Sequence, residues 1–314
     1  MRTISNVAAA IEPSLTTERV ILNDGRSLGF AEYGDPNGEP VLEFHGWPSC
    51  RTEARFYDEA GKKLGARIIG IDRPGFGIST FKEGYRILDW PADVVEFANA
   101  LGLRRFAVLG LSSGSAYALA CARFIPERLS ACTLVGGMPP LKVQGEKLRP
   151  YILPLEIHTA RLANAVPLLA RAPLWYIRRL IQKDPQRAMK QLVKRAPPSE
   201  LELLTDERAT YQFQRTVAEA CRAGLKGLIA SVALQVKDWG FRLRDITTHV
   251  TLWHGELDTL VFPSSAHYTA ANLPNHTLHM IPGAGHLTVI ARHAHEVLRS
   301  CCRRTVAQAT TAST

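Results

Sequence analysis

Residues 108–120 read VLGLSSGSAYALA, and the five at their centre, Gly110-Leu111-Ser112-Ser113-Gly114, decide how the chain folds. The preceding run Phe106-Ala107-Val108-Leu109 is continuously apolar and ends at a glycine, the pattern of a short strand buried on both faces. Ser115 to Arg123 is rich in alanine and leucine and reads as a helix. The link between them fits G-x-S-x-G with Ser112 in the middle. A strand that turns directly into a helix strains its central residue and lets the chain pass close to itself only where the flanking residues lack a Cβ. A serine held there stands at a helix N-terminus, where backbone N–H groups and the helix dipole favour developing negative charge. Ser113, the next residue, offers its backbone N–H as a donor. Taken alone, the five residues describe a plain glycine turn as well as a nucleophile, and the remainder of the chain has to decide.

The composition sets the frame. With 314 residues, 46% hydrophobic and 21% charged, the chain has room for one large α/β domain with an insertion, or for two domains. Met1 to Ala10 holds one arginine and no long apolar stretch, and no run approaches the roughly eighteen apolar residues of a membrane span, so a soluble cytoplasmic protein is expected. The six cysteines form no C-x-x-C pair or other ligand spacing, which argues against disulfides and against a metal site. No motif points to a nucleotide or a flavin, and no cofactor is expected.

Short apolar runs alternate with helical segments, the order of a mostly parallel sheet. Arg19 to Leu22 and Ser27 to Tyr33 flank the hairpin turn Asn23-Asp24-Gly25. Further strands are predicted at Val41–Phe44, Ala66–Ile71, Phe106–Leu111, Ala131–Val135, Val250–Trp253 and Thr277–Ile281. Helices are predicted at Glu53–Leu64, Ala92–Ala100, Ser115–Phe124, Ser264–Ala271 and Ala291–Arg303. Between Met138 and Gly240 the strand pattern gives way to helical, proline-punctuated sequence. The chain thus divides into a first part of a core (1–137), an insertion (138–240), the second part of the core (241–304) and a tail (305–314).

In open α/β sheets ligands bind beyond the carboxyl ends of the strands, and each predicted strand end here carries a polar turn. His45-Gly46-Trp47-Pro48 follows Phe44, Asp72-Arg73-Pro74-Gly75-Phe76-Gly77-Ile78-Ser79 follows Ile71, His254-Gly255-Glu256-Leu257-Asp258 follows Trp253, and Gly283-Ala284-Gly285-His286 follows Ile281 and Pro282. Together with the serine turn, these motifs make the chain resemble the α/β-hydrolase superfamily from about Arg19 to Arg299. The resemblance implies an eight-stranded, mostly parallel sheet flanked by helices, with the insertion as a helical cap. It also implies Ser112 as nucleophile, Asp258 as acid and His286 as base, with the backbone N–H groups of Trp47 and Ser113 forming the oxyanion hole. His45, Gly46, Gly110 and Gly114 then shape the loops around it. The chemistry suits these residue types, because a serine hydroxyl needs a neutral imidazole to take its proton and a carboxylate to fix that imidazole's tautomer.

Other assignments stay open at this point. Glu256 is an alternative acid two residues from Asp258. His45 and His254 are alternative bases, although both fit better as turn-shaping residues. His293 and His295 read as a solvated helix face, and Asp72 as an anchor of its own loop, with Arg73 as its partner. The sixth strand ends in Gly136-Gly137-Met138, with no carboxylate.

Between Leu141 and Glu200 there are twelve Lys or Arg against four Asp or Glu, so this stretch carries nearly all of the formal net charge of +9. Interleaved leucines, Trp175 and Tyr176 make its helices basic and amphipathic. Either the basic face is simply solvated, the favoured reading, or it attracts anionic substrates or a membrane surface. Nucleic acid is not expected, since no recognised binding motif accompanies the charge. A serine at the turn argues against the haloalkane dehalogenases and epoxide hydrolases of the superfamily, which use aspartate there. The expected activity is hydrolysis of carboxylic esters or lactones. The alternatives are cleavage of a carbon–carbon bond by the same residues, or a small-molecule receptor with slow turnover.

Overall fold

Each predicted strand becomes part of one sheet. The computed structural model describes residues 18–140, 154–183 and 196–302. Its strands are β1 (Arg19–Ile21), β2 (Ser27–Gly34), β3 (Glu39–Phe44), β4 (Ala66–Ile71), β5 (Phe106–Leu111), β6 (Leu129–Val135), β7 (Val250–Gly255) and β8 (His276–Ile281). They lie in the order β1-β2-β4-β3-β5-β6-β7-β8. Only β2 runs antiparallel to both of its neighbours, β1 and β4, and it is joined to β1 by the predicted hairpin with Gly25 in the left-handed region at φ 80°.

The central strands are apolar without alternation because both faces are covered. Leu42, Phe44 and Val108 point into a core shared with α2 (Trp90–Ala100) and α3 (Ser115–Phe124), which includes the edge-to-face aromatic series Phe44–Trp90–Tyr117. Val41, Ala107 and Leu109 point the other way, against α1 (Asp58–Leu64) and α10 (His286–Arg299). Glu43 is fully buried in β3 between Leu42 and Phe44.

Three helix starts differ from the sequence reading, α2 beginning at Trp90 and not at Ala92. The helix predicted at Glu53 opens as a tight 3-10 turn, Arg51–Tyr57, before α1 begins. The last helix, α10, starts at His286, five residues earlier than predicted, after the extended residue Gly285. His293 sits at a kink in it with non-helical φ −119° and ψ 20°, and both His293 and His295 are half-buried, not a fully solvated face.

Between β6 and β7 lie the helices α4 (Pro154–Ala165), α5 (Pro167–Lys183), α6 (Pro198–Thr205), α7 (Glu207–Ala220) and α8 (Lys226–Gln235), while α9 (Ser264–Asn272) follows β7. Ala160, Ala163 and Ala170 pack against Ile229, Val232 and Ala233 of α8. Val217, Ala220 and Leu228 pack on Cys50 and Phe76, in the loops after β3 and β4. The inserted helices therefore sit over the carboxyl ends of the strands. Of the twelve basic residues, Lys142, Lys147, Arg149, Arg187, Lys190, Lys194 and Arg195 lie outside the described residues. No helix among the described residues is long and apolar enough to cross a membrane. All six cysteines are buried and free.

The turn from β5 to α3 is the tightest crossing near the sheet's centre. A Cβ on Gly114 would collide with the Phe44 carbonyl of β3, and one on Gly110 would come within 2.8 Å of the Ser115 Cα. Backbone on both sides leaves little to give. Gly114→Ala should accordingly destabilise the protein by more than about 2 kcal/mol, read as a drop in the urea unfolding midpoint. A midpoint close to that of the parent would mean that the turn is not packed this tightly.

Candidate active site

Among the described residues Ser112 is the only non-glycine residue with positive φ, at 50°. This conformation costs on the order of 1–3 kcal/mol and is held by the packing on either side of it. The turn carries Ser112 to the sheet's end, where it is half-buried, while Ser113 behind it is buried. A Cβ on Gly46 would lie 3.4 Å from the Ser112 Cβ, so the His45–Trp47 turn runs directly beside the serine.

Asp258 follows β7 and is almost completely buried. Its Oδ1 accepts the N–H groups of Leu260 and Val261, each at 2.9 Å. Its Oδ2 accepts from His286 Nδ1 at 2.7 Å, with His254 Nε2 at 3.3 Å. Burial opposes ionisation, but the charge and hydrogen bonds of His286 and His254 outweigh it and hold the carboxyl well below the usual range. With Nδ1–H donated to Asp258, the neutral His286 ring keeps Nε2 as its basic nitrogen. A Cβ on Gly136 would come within 2.8 Å of the His286 Cε1, so the glycine at the end of β6 makes room for the imidazole. The absence of a side chain there, which the sequence showed only as a missing carboxylate, is required by the histidine.

The rival assignments lie elsewhere. Glu256 is exposed, away from the Asp258–His286 pair. His254 donates from Nε2 to the Val261 carbonyl at 2.8 Å and so ties down the loop that carries Asp258. His45 donates from Nδ1 to the Gly46 carbonyl at 2.8 Å and accepts the Arg73 N–H on Nε2 at 3.1 Å. Both ring nitrogens are therefore occupied. Burial, reinforced by Arg73, pushes the basicity of His45 far down, so it is a neutral brace for the turn and not a base. The Trp47 indole donates to the Leu228 carbonyl at 3.2 Å and packs into the inserted helices.

Asp72 does anchor its loop, but through Arg51 and not through Arg73 as the sequence suggested. Its Oδ1 accepts the Arg51 N–H at 2.7 Å, and its Oδ2 accepts from Arg51 Nη1 at 2.8 Å and from the Ile78 N–H at 2.9 Å. Arg51 also meets Glu219 of α7 at 2.8 Å. Arg73 turns the other way and, with Ser113, Tyr117, Met138 and Trp239, lines a crevice of about 10 Å³, room for one water.

The sequence reading missed Glu200. This residue of α6 is buried, and its Oε1 accepts the Leu287 N–H at the start of α10. It caps the helix that His286 opens, from 87 residues away, while Ser199 donates to the Gly283 carbonyl at 2.9 Å. Only its place in a stretch otherwise dominated by lysine and arginine singled it out.

The strand ends thus carry a serine strained at φ 50° and a histidine oriented by a buried carboxylate, residue types that can serve acyl transfer. The chain matches the alpha/beta hydrolase fold family over residues 39–292 and belongs to it. Over 277 residues it is 26% identical to the non-heme haloperoxidase of Rhodococcus erythropolis, covering 85% of this chain and 92% of that protein. It is 32% identical to the non-heme chloroperoxidase of Streptomyces lividans over 140 residues, 44% of this chain and half the length of that protein. An esterase from Exiguobacterium antarcticum shares the fold with a TM-score of 0.68 and 22% identity, over 91% of this chain and 98% of its own.

Removing the Glu200 carboxylate should loosen the start of α10. Glu200→Ala is expected to cost about 1 kcal/mol or more of stability, as loss of a helix N-cap does, measured by thermal or urea unfolding. An unchanged midpoint would show that water replaces the cap without loss.

Proposed function

We propose that this protein is a serine hydrolase that cleaves carboxylic esters or lactones of small, largely apolar compounds through an acyl-enzyme on Ser112. The observation that carries this reading is the 2.7 Å bond from His286 Nδ1 to the buried Asp258, beside a serine strained at φ 50°. His286 Nε2 takes the Ser112 proton as Oγ attacks the carbonyl carbon. The oxyanion is received by the N–H groups of Trp47 and Ser113, and His286 returns the proton to the leaving alcohol. Water, activated by the same imidazole, then releases the acid. Asp258 stays ionised throughout and stabilises the imidazolium. Esterase and haloperoxidase names among the relatives agree with a hydrolytic site, but a shared fold does not itself name the reaction.

The inserted helices, as a cap, select the substrate in this reading. Arg171, Arg179 and Lys183 are exposed on α5 beside the exposed Leu168, Trp175 and Tyr176. We take this face as solvated.

A fluorophosphonate probe should label Ser112, and Ser112→Ala should abolish the adduct mapped by mass spectrometry. Labelling of Ser113 instead would overturn the assignment. A screen of p-nitrophenyl esters, lactones and β-diketones, with product analysis, distinguishes ester hydrolysis from carbon–carbon cleavage and from a receptor that scarcely turns over.

His286→Ala should lower kcat by several decades with the fold intact. Retention of more than about a tenth of the parent kcat, a loss under about 1.4 kcal/mol, would make another group the base.

For the cap, kcat/KM of an anionic ester and of its neutral isostere should respond alike as ionic strength rises from about 10 mM to about 150 mM, across which the screening length falls from about 30 Å to about 8 Å. A selective loss for the anionic ester would assign the basic face a steering role.

A further inference from the structure

Beside the serine turn lies a set of buried charges that the proposed acyl transfer leaves unused. Glu43 is fully buried in β3, two residues before His45, and neither of its carboxyl oxygens is reached by a hydrogen-bond donor among the described residues. The group against it is the carboxyl of Glu53, within hydrogen-bonding range. Two carboxylates cannot both ionise side by side away from water. Burial, and then the neighbouring Glu53, drive Glu43 toward its protonated form, and its O–H donates to Glu53. Burial raises the Glu53 carboxyl too, but the Gly46 N–H donated to its Oε2 at 2.6 Å and the nearby Arg73 favour ionisation there, so the negative charge of the pair is best held on Glu53.

The opposite end of Gly46 meets a positive charge. Arg73 is buried with its guanidinium 4.8 Å from the ring centres of both Phe76 and Tyr117. Its Nη2 donates to the Gly46 carbonyl at 3.0 Å and to Ser113 Oγ at 3.3 Å, and its Nη1 donates to Ser231 Oγ at 2.9 Å. The Gly46 carbonyl also accepts from His45 Nδ1. That carbonyl belongs to the same peptide unit as the Trp47 N–H. Hydrogen bonds to one end of a peptide polarise the other, strengthening each bond in a chain by about 10–30%.

We propose that Glu53 and Arg73 are positioning residues which clamp the Gly46 backbone between a carboxylate and a guanidinium, and thereby aim and polarise the Trp47 N–H toward the oxyanion. Glu43 supplies the proton that leaves this buried set one negative charge facing one positive charge. The inference rests on the reading of Ser112 as nucleophile and extends it to the groups that build its oxyanion hole. Arg73 further ties Ser113, which carries the second donor, to the same guanidinium.

The test uses E53Q, R73K, R73M, E43Q and E43L in the full chain. The readouts are kcat and KM on a p-nitrophenyl ester, the inhibition constant of phenylboronic acid, whose tetrahedral adduct on the serine places an oxygen in the hole, and the rate of fluorophosphonate labelling. E53Q and R73K should lower kcat roughly 10- to 100-fold, somewhat less than loss of a whole oxyanion donor, with KM within about threefold. Boronic acid affinity should fall in step with kcat. E43Q, whose amide N–H replaces the acid O–H toward Glu53, should recover most of the activity that E43L loses. Should R73M fail to fold, R73K and E53Q still report. Unchanged kcat in both of those, or a rise in KM at constant kcat, overturns the inference. So does a loss that follows the folded fraction in unfolding curves, because it reports structure alone. Wild-type protein inert to ester, boronic acid and fluorophosphonate alike overturns the hydrolase reading and this inference with it, whereas equal reactivity of wild type and variants overturns only the inference.

Discussion

The closest approach of backbone to backbone at the heart of the sheet, Gly114 against the Phe44 carbonyl, is the constraint on which the site depends. It brings the start of α3 onto the end of β3, so that the turn carrying Ser112 and the turn carrying Gly46 and Trp47 must lie side by side. The strain at Ser112 follows, because a helix that begins so close to its strand allows only a left-handed residue between them. The next two connections extend the same geometry along the sheet. β6 is followed by Gly136, which leaves space for an imidazole, and β7 and β8 deliver Asp258 and His286 into that space in parallel register. Parallel strands all present their carboxyl ends to one edge, so residues far apart in the chain meet there without a long loop being needed.

Much of this was legible in the sequence because it is written locally. The serine turn and the His45-Gly46 turn follow from what the few residues after an apolar run can do, whereas the preference for Asp258 over Glu256 rests on the family resemblance. The strands were equally plain, since a strand buried on both faces shows as an unbroken apolar run. The readings that failed concern partners separated by long stretches of chain. Asp72 takes Arg51, 21 residues back, and not the adjacent Arg73. The start of α10 is set by a carboxylate 87 residues away, so no local capping signal marked it, and the helix was placed late. Glu43 lies inside an apolar run and draws no reading of its own, because nothing in the local pattern reveals a second carboxyl folding back on it.

The buried charges around the site each have close, hydrogen-bonded partners. Arg51, fully buried, is met by Asp72 and by Glu219. Arg73 is met across Gly46 by the single charge of the Glu43–Glu53 pair. Asp258 is met by two imidazoles and two backbone N–H groups. Desolvating a charge costs several kcal/mol, and only a close, hydrogen-bonded partner offsets it. Such sets add little net stability over apolar packing, but each fixes one arrangement of its loop, because any other leaves a charge unpaired.

One of these sets, and the cap of the helix that begins with His286, draw a carboxylate from the inserted helices, which bears on how that segment is attached. Glu219 of α7 closes the Arg51 group, and Glu200 of α6 caps the helix that begins with His286. Displacing either helix would leave a buried cation one partner short or a helix start without its acceptor, a cost of about 1 to several kcal/mol for each. The contacts that α4 makes with α8 are of a different kind, alanines against aliphatic side chains, and each square ångström of them given up costs only about 25 cal/mol. The insertion is thus pinned to the core along α6 and α7 by charge, and held together along α4 and α8 by small apolar surfaces. Glu200 reaches the start of the helix that carries His286, and Glu219 reaches Arg51, which holds the loop after β4 through Asp72, so the inserted helices and these strand-end loops are fixed by the same contacts.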